Sequence, residues 1–202
     1  FWPQSHTVRN EQREPQGGFP QLPWVSGAAV AQFYSASLLG SERVAGQMAD
    51  VVWFKPQDAL RFGYRIWSAH DSGLVLKLQT LQADGQVLEQ AAFSELDLKT
   101  PVRMESLARM MDDTAGYRVV NVAMQKTSAA QQGWTLRKPV AGFVPMNCYQ
   151  HAAKTMPATP GGLQCIYSDG LATVSLFIDR YDEKRHAAQA GQWSMGATHT
   201  LA

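Results

Sequence analysis

The chain has 202 residues, 45% of them hydrophobic and 17% charged, which suits a folded protein of one large or two small domains and excludes a disordered segment. A formal net charge of +1 gives no electrostatic preference for nucleic acid or for an acidic substrate. No apolar run approaches the roughly 18 residues that a membrane-spanning helix needs.

The chain opens on Phe1 rather than Met and stops at "THTLA", so it reads as a piece of a longer polypeptide whose targeting signal lies outside it. Residues 1–27, with "EPQGGFPQLPW", are rich in Pro, Gln and Gly and read as extended loop with room for one short strand. Ala28–Tyr34 is a weak helix pattern of small apolar residues. From Ser35 the pattern turns to strands. "ASLLGSERVAGQMADVVWF" holds two apolar runs around "GSE", a turn signal, with Gly46 as a bulge in the second run. In "LRFGYRIW" the residues Leu60, Phe62, Tyr64 and Ile66 share one face, and Arg61, Arg65 and Trp67 share the other. The "HDSG" turn at His70–Gly73 leads to Leu74, Leu76 and Leu78 alternating with Val75, Lys77 and Gln79. "ADG" at Ala83–Gly85 turns the chain again. Asp or Asn before Gly between alternating runs is hairpin chemistry. Ser35–Leu98 is therefore expected to be an antiparallel meander of about five strands with one apolar face.

A break follows. "KTPVRMESLARMMDDTAGY" offers Thr100 as N-cap, Pro101 at the first helical position and Met104, Leu107, Ala108 and Met111 at helical spacing. It reads as a short helix or a linker closed by Gly116. Beyond it, "YRVVNVAMQ" and "GFVPMNCYQHAA" read as strands, "AAQQGW" as a turn and "MPATPGG" as a loop. "CIYSDGLATVSLFI" reads as a hairpin with Ala172, Val174, Leu176 and Ile178 on its buried face. A polar loop, "DRYDEKRHAAQAGQ", precedes one strand at Trp193–Leu201. The fold class is α+β, predominantly antiparallel β, with two β-rich units on either side of residues 100–116.

Chemistry is hard to place on this chain. Ser168 has Asp169 beside it, but neighbours in a tight turn cannot serve as nucleophile and orienter of a distant His, and no G-x-S-x-G elbow surrounds it. "SDG" therefore reads as a turn. His6, His70, His151, His186 and His199 lie far apart without metal-ligand spacing. The acid pairs Asp112-Asp113 and Asp182-Glu183 sit in polar stretches and read as solvated charge. Gly17-Gly18 and Gly161-Gly162 lack the strand–loop–helix context and the Lys that a phosphate loop requires. "LRFGYRIW" interleaves Arg with aromatics, as single-strand nucleic-acid binders do, but a near-zero net charge favours one dry and one wet strand face. What remains is an apolar surface of Leu60, Phe62, Tyr64, Ile66, Leu74, Leu76 and Leu78. It is either plain core covered by a helix or an open apolar groove. Cys148 and Cys165 are too few for a zinc site. They stay as two free thiols in a reducing compartment and pair only in an oxidising one.

Taken together, "GSERVAGQMADVVWFKPQDALRFGYRIWSAHDSGLVLKLQTLQADGQVLEQAAFSEL", "GYRVVNV", "GWTLRKPVAGF" and "YSDGLATVSLFID" resemble, in order, successive segments of the MucB/RseB family of periplasmic negative regulators of an envelope-stress sigma factor. The resemblance covers most of residues 24–202. It implies a large domain similar to the lipoprotein carriers LolA and LolB, a half-open barrel, over residues 1–99. A linker at 100–116 and a smaller β-rich domain at 117–202 follow, and both domains lack their outer ends in this chain. It implies a non-enzymatic protein without cofactor, metal or nucleic-acid partner. Such a protein binds the periplasmic region of a membrane anti-sigma factor of the RseA or MucA type, shields it from regulated proteolysis, and responds to acyl chains of lipoprotein or lipopolysaccharide. A homodimer is left open. The alternative is a periplasmic lipid or lipoprotein carrier of the LolA/LolB type. The oxidising periplasm also turns the cysteine choice toward a Cys148–Cys165 disulfide, which closes a loop of about 18 residues and contributes roughly 3 kcal/mol.

Overall fold

Runs of alternating apolar residues cut by glycine turns pair with their sequence neighbours, because a short turn leaves the next run nowhere closer to hydrogen-bond. The computed structural model of the chain describes residues 2–11, 27–122, 124–151, 162–187 and 190–202. The expected loop around "EPQGGFPQLPW", Gly17-Gly18 and most of "MPATPGG" lie outside the described residues. After strand β1 (Thr7–Glu11) and a single helical turn α1 (Gly27–Val30), five strands follow in succession: β2 (Tyr34–Val44), β3 (Gln47–Pro56), β4 (Gly63–Ala69), β5 (Val75–Leu81) and β6 (Val87–Ala92). They form one antiparallel sheet in the order β2-β3-β4-β5-β6, the meander expected from the turns.

Three local readings are corrected. "GSE" is not a turn: β2 runs straight through it, and Leu38 faces Val52 while Gly40 faces Val51, so Leu39 is an extra residue in the ladder. The turn falls instead at Ala45-Gly46, both with positive φ (46° and 80°), the geometry that suits a two-residue hairpin. The bulge and the turn thus exchange places relative to the sequence reading. The third correction is a second bulge, in β5. Trp67 faces Lys77 and Ser68 faces Val75, leaving Leu76 without a partner in β4. One unpaired residue breaks the two-residue period, so neighbours on either side of it reach opposite faces.

The consequence is a sheet that is apolar on both faces rather than one. Ala49, Val51, Trp67, Ala69 and Leu76 form one buried cluster, with Leu74 and Phe93 packed on it. Tyr34, Tyr64 and Ile66 form another, with Phe54, Phe62, Val75 and Leu78. Trp67, expected on a wet face, is 2% exposed; its indole N–H donates to Glu42 Oε2 at 2.8 Å and Lys77 Nζ lies 4.2 Å from its ring centre.

Helix α2 (Met104–Asp112) has Arg103 at its N-cap, three residues beyond Thr100; Thr100 is occupied elsewhere, its hydroxyl and its backbone N–H both donating to the Asp97 carboxylate. Strand β7 (Arg118–Val122) pairs in parallel with β1, Thr7 facing Arg118. The N-terminal strand is therefore joined to the chain beyond α2 rather than to the five-stranded sheet. A four-stranded sheet holds β8 (Met124–Thr127), β9 (Val144–His151), β10 (Leu163–Ser168) and β11 (Thr173–Ile178) in the order β11-β10-β9-β8. A short helix α3 (Glu183–His186) interrupts the polar loop. The single strand expected at Trp193–Leu201 is a hairpin of β12 (Gln192–Met195) and β13 (Thr198–Leu201), turned at Gly196. The predicted buried face of β11 holds in part: Leu176 and Ile178 are half-buried, whereas Val174 is exposed.

The four-stranded sheet is the small sheet beside the five-stranded one, and its apolar cluster is limited. Its core is Cys148, Leu163 and Cys165, flanked by Tyr167 and Ile178. Cys148 and Cys165 are directly opposite in the β9–β10 ladder and joined by a disulfide, Cα–Cα 4.1 Å.

Candidate functional site

The face of the five-stranded sheet that carries Tyr34, Tyr64 and Ile66 does not close on itself. A cleft of about 390 Å³ lies over it. Its floor is Val52, Phe54, Ile66 and Val75; α1 contributes Gly27 and Val30; Tyr34, Ala36 and Ser68 also line it, and a further wall is Gly170 and Leu171, from the β10–β11 turn. The lining is mainly apolar, with Tyr34 and Ser68 as its polar members, because alternate residues of three adjacent strands point the same way.

The seven residues expected to share this face are divided. Tyr64 and Ile66 are buried in it, and Phe62 and Leu78 pack beside them. Leu74 and Leu76 lie on the opposite face with Trp67, put there by the β5 bulge. Leu60 belongs to neither: it lies in the turn before β4, 72% exposed, where the Asp58 carboxylate accepts its backbone N–H. One face of the Phe62 ring is covered by the last hairpin, where it stacks on His199 with ring centres 5.5 Å apart.

Sequence reasoning missed the polar joint beside the cleft. Asp169, read as a turn residue, is 1% exposed. Its Oδ1 accepts the backbone N–H groups of Leu171 (3.0 Å) and Ala172 (2.8 Å), which is the local turn chemistry expected of Asp. Its Oδ2, however, accepts from Arg61 Nε at 2.7 Å and from the Tyr34 hydroxyl at 3.0 Å. Both partners come from the five-stranded sheet's end of the molecule, more than 100 positions earlier. Ser168 is spent inside the turn, its hydroxyl donating to Ala172 O (2.7 Å) and accepting from Gly170 N (3.0 Å), which removes it from nucleophilic use.

Arg61 gathers the rest of the joint. It pairs with the Asp58 carboxylate, donates to the Ala141 carbonyl, and lies over the Phe33 ring at 4.1 Å and the Phe143 ring at 5.1 Å. Every face of the guanidinium is thereby occupied, so a cation that sequence placed on a wet face is buried at no unmet charge. Gly142 is required here. Its φ is +85°, and a Cβ would stand 2.4 Å from Phe33 Cε2 and 2.6 Å from Arg61 Nη2. Burial, reinforced by the Asp169 charge, raises the pKa of Tyr34 and of Tyr64 above the ordinary phenol value, so both hydroxyls stay neutral donors through the physiological range.

A second polar cluster sits at the far end of the sheet. His70 Nε2 lies 2.7 Å from Asp50 Oδ1 and 3.3 Å from Ser41 Oγ, and Ser41 Oγ donates to the same Asp50 oxygen at 3.0 Å. A relay would use both ring nitrogens, one for the hydroxyl and one for the carboxylate. Here both partners meet one nitrogen, and the cluster ties β2 and β3 to the end of β4. Among the described residues no group of three His, Cys, Asp or Glu side chains is placed to hold a metal, and no helix is long and apolar enough to cross a membrane.

Two antiparallel sheets, joined across a buried ion pair with an apolar cleft alongside, define an α+β protein of mostly antiparallel strands. Residues 1–111 match the model of the MucB/RseB N-terminal domain and residues 128–202 that of the MucB/RseB C-terminal domain. The sigma factor AlgU regulatory protein MucB of Pseudomonas aeruginosa is 32% identical over 166 residues, covering 80% of this chain and 48% of its own length. The sigma-E factor regulatory protein RseB of Escherichia coli is 23% identical over 163 residues, covering 80% and 49%. Among solved structures, the complex of Pseudomonas aeruginosa MucA and MucB superposes with a TM-score of 0.58 at 28% identity, over 86% of this chain and 55% of that one. The chain belongs to the MucB/RseB family. It spans about half the length of the curated relatives it matches.

Proposed function

We propose that the protein this chain comes from is a periplasmic regulatory protein that binds the periplasmic region of a membrane anti-sigma factor and protects it from regulated proteolysis. The observation that carries this reading is the match of both halves of the chain, in order, to a family whose solved relative MucB has been seen bound to MucA. It acts by stoichiometric binding and not by turnover. The Cys148–Cys165 disulfide supports an oxidising compartment. In this reading the five-stranded sheet is part of a LolA-like large domain ending near residue 99, residues 100–116 link it to the small domain, and the apolar cleft takes acyl chains from lipoprotein or lipopolysaccharide. The lining of the cleft is mainly apolar. With Leu171 in place its 390 Å³ lies near the lower end of small-molecule sites, which start at about 300 Å³, so a full acyl chain needs the room that Leu171 takes.

The test is a titration of the chain, and of the full-length protein, with the periplasmic region of its anti-sigma factor, followed by a protease-protection assay on that region. The reading requires a saturable one-to-one complex and slower cleavage of the bound partner. A partner cleaved at the same rate with and without the protein overturns it.

A further inference from the structure

The cleft is not bounded by the five-stranded sheet alone, and the exception carries information. One of its walls, Leu171, belongs to the small sheet, and its apolar contacts are with the Tyr34, Tyr64 and Ile66 cluster of the large one. It enters that face from outside, at the tip of a turn, as the side chain of a bound peptide would. The turn that delivers it is held twice. Internally, Asp169 Oδ1 and Ser168 Oγ fix the backbone N–H groups of Gly170, Leu171 and Ala172. Externally, Asp169 Oδ2 binds Arg61 and Tyr34. The same carboxylate therefore shapes the turn and fastens it to the sheet.

We infer that Leu171 is a built-in plug of the apolar cleft, latched by the Asp169–Arg61–Tyr34 bonds, and that an acyl chain entering the cleft competes with it and releases the small sheet's turn. This deepens the proposed function and rests on its reading of the cleft as a lipid site. The physical logic is a population shift. An occupant that binds only the unplugged state has its affinity reduced by the fraction of molecules unplugged, and weakening the latch returns that affinity. The latch is polar and the plug apolar, so the two halves respond to different substitutions. Replacing the oxygen that faces Arg61 and Tyr34 loosens the fastening but keeps the turn. Shortening Leu171 enlarges the cleft but keeps the fastening.

The experiment uses the full 202-residue chain, n-dodecylphosphocholine below its micellar concentration as the probe, and two readouts: affinity by calorimetry, and amide hydrogen exchange of Gly170, Leu171 and Ala172. Asp169→Asn keeps the acceptor for the turn amides and removes the charge. Tyr34→Phe removes one hydrogen bond only, and serves if Asp169→Asn fails to fold. The expected result is about tenfold tighter probe binding by Asp169→Asn and a smaller gain by Tyr34→Phe. In the unsubstituted chain, saturating probe should abolish protection of the three turn amides. If all forms bind the probe equally and the turn amides stay protected when the cleft is full, the latch is overturned while the lipid reading survives. If neither the unsubstituted chain nor either variant binds the probe, the lipid reading of the cleft falls and the plug falls with it. Binding by the variants alone supports the latch.

Discussion

The five-stranded sheet and the small four-stranded sheet are stabilised by different means. The five-stranded sheet has buried residues on both faces, Trp67 and Leu76 on one and Tyr34, Tyr64 and Ile66 on the other. The small sheet's apolar cluster has three buried members, two of which are the disulfide pair, and its β10–β11 turn is fastened by a buried ion pair. A sheet with apolar burial on both sides is held by packing, and loses stability in proportion to the volume removed. A sheet with little to bury relies on a cross-link that restricts the unfolded chain and on a few directional polar bonds. The molecule thus joins a part that tolerates polar change poorly to a part that tolerates reduction poorly.

The largest effect should fall on the packed sheet. Trp67→Ala removes a side chain that is 2% exposed and should cost about 4 kcal/mol in urea unfolding, while leaving the disulfide intact to thiol labelling under native conditions. Replacing Cys148 and Cys165 together by Ser should cost roughly 3 kcal/mol. Hydrogen exchange should locate that loss in β9 and β10, with β3 to β5 keeping their protection; uniform loss across both sheets would refute the division. Gly142→Ala places a Cβ against Phe33 and Arg61 and should cost about 2 kcal/mol through overpacking and strained backbone. That loss should appear in the seating of the turn, read by exchange at Leu171, before it appears in either sheet.

Alkali should act on the packed sheet from another direction. Tyr34 and Tyr64 have raised pKa values when folded, so below pH of about 10 they are neutral in both folded and unfolded chains and contribute no pH dependence. Above it the unfolded chain loses these protons and the folded one keeps them, so stability falls by up to about 1.4 kcal/mol per pH unit for each tyrosine. Thermal melts between pH 9 and 11 should show this slope, and Tyr64→Phe should flatten it. The smallest effect is reserved for Leu60→Ser, a change at a side chain 72% exposed, expected within about 0.5 kcal/mol of no change. A larger loss would mean that Leu60 packs where it was first expected.

The sequence disclosed elements and turns more readily than faces. His70–Gly73 and Ala83–Gly85 turn the chain where their composition says, and the five-strand meander follows. The face assignment for Leu74 and Leu76 failed because one unpaired residue shifts a period-two pattern without leaving any mark on hydrophobicity. The exchange of bulge and turn between Gly40 and Gly46 has the same root: glycine marks both. The site was legible only in its apolar half. Tyr64, Ile66, Phe62 and Leu78 could be read from alternation, but Asp169 and Arg61 are 108 positions apart, and each had an adequate local explanation, a turn and a wet face. Long-range polar pairing has no periodicity to betray it.

Arg61 touches the small sheet at two points, the Ala141 carbonyl just before β9 and the Asp169 carboxylate just after β10. Val144 and Ser168, which begin and end those strands, face each other in the ladder. The two groups therefore arrive at one guanidinium only when β9 and β10 are correctly aligned. A slip of two residues, which would preserve every inward and outward side chain, moves one group about 7 Å from the other. The disulfide secures that alignment, and Arg61 can hold both groups only when it is kept. One side chain beside the five-stranded sheet thus serves as a gauge of strand register in its neighbour.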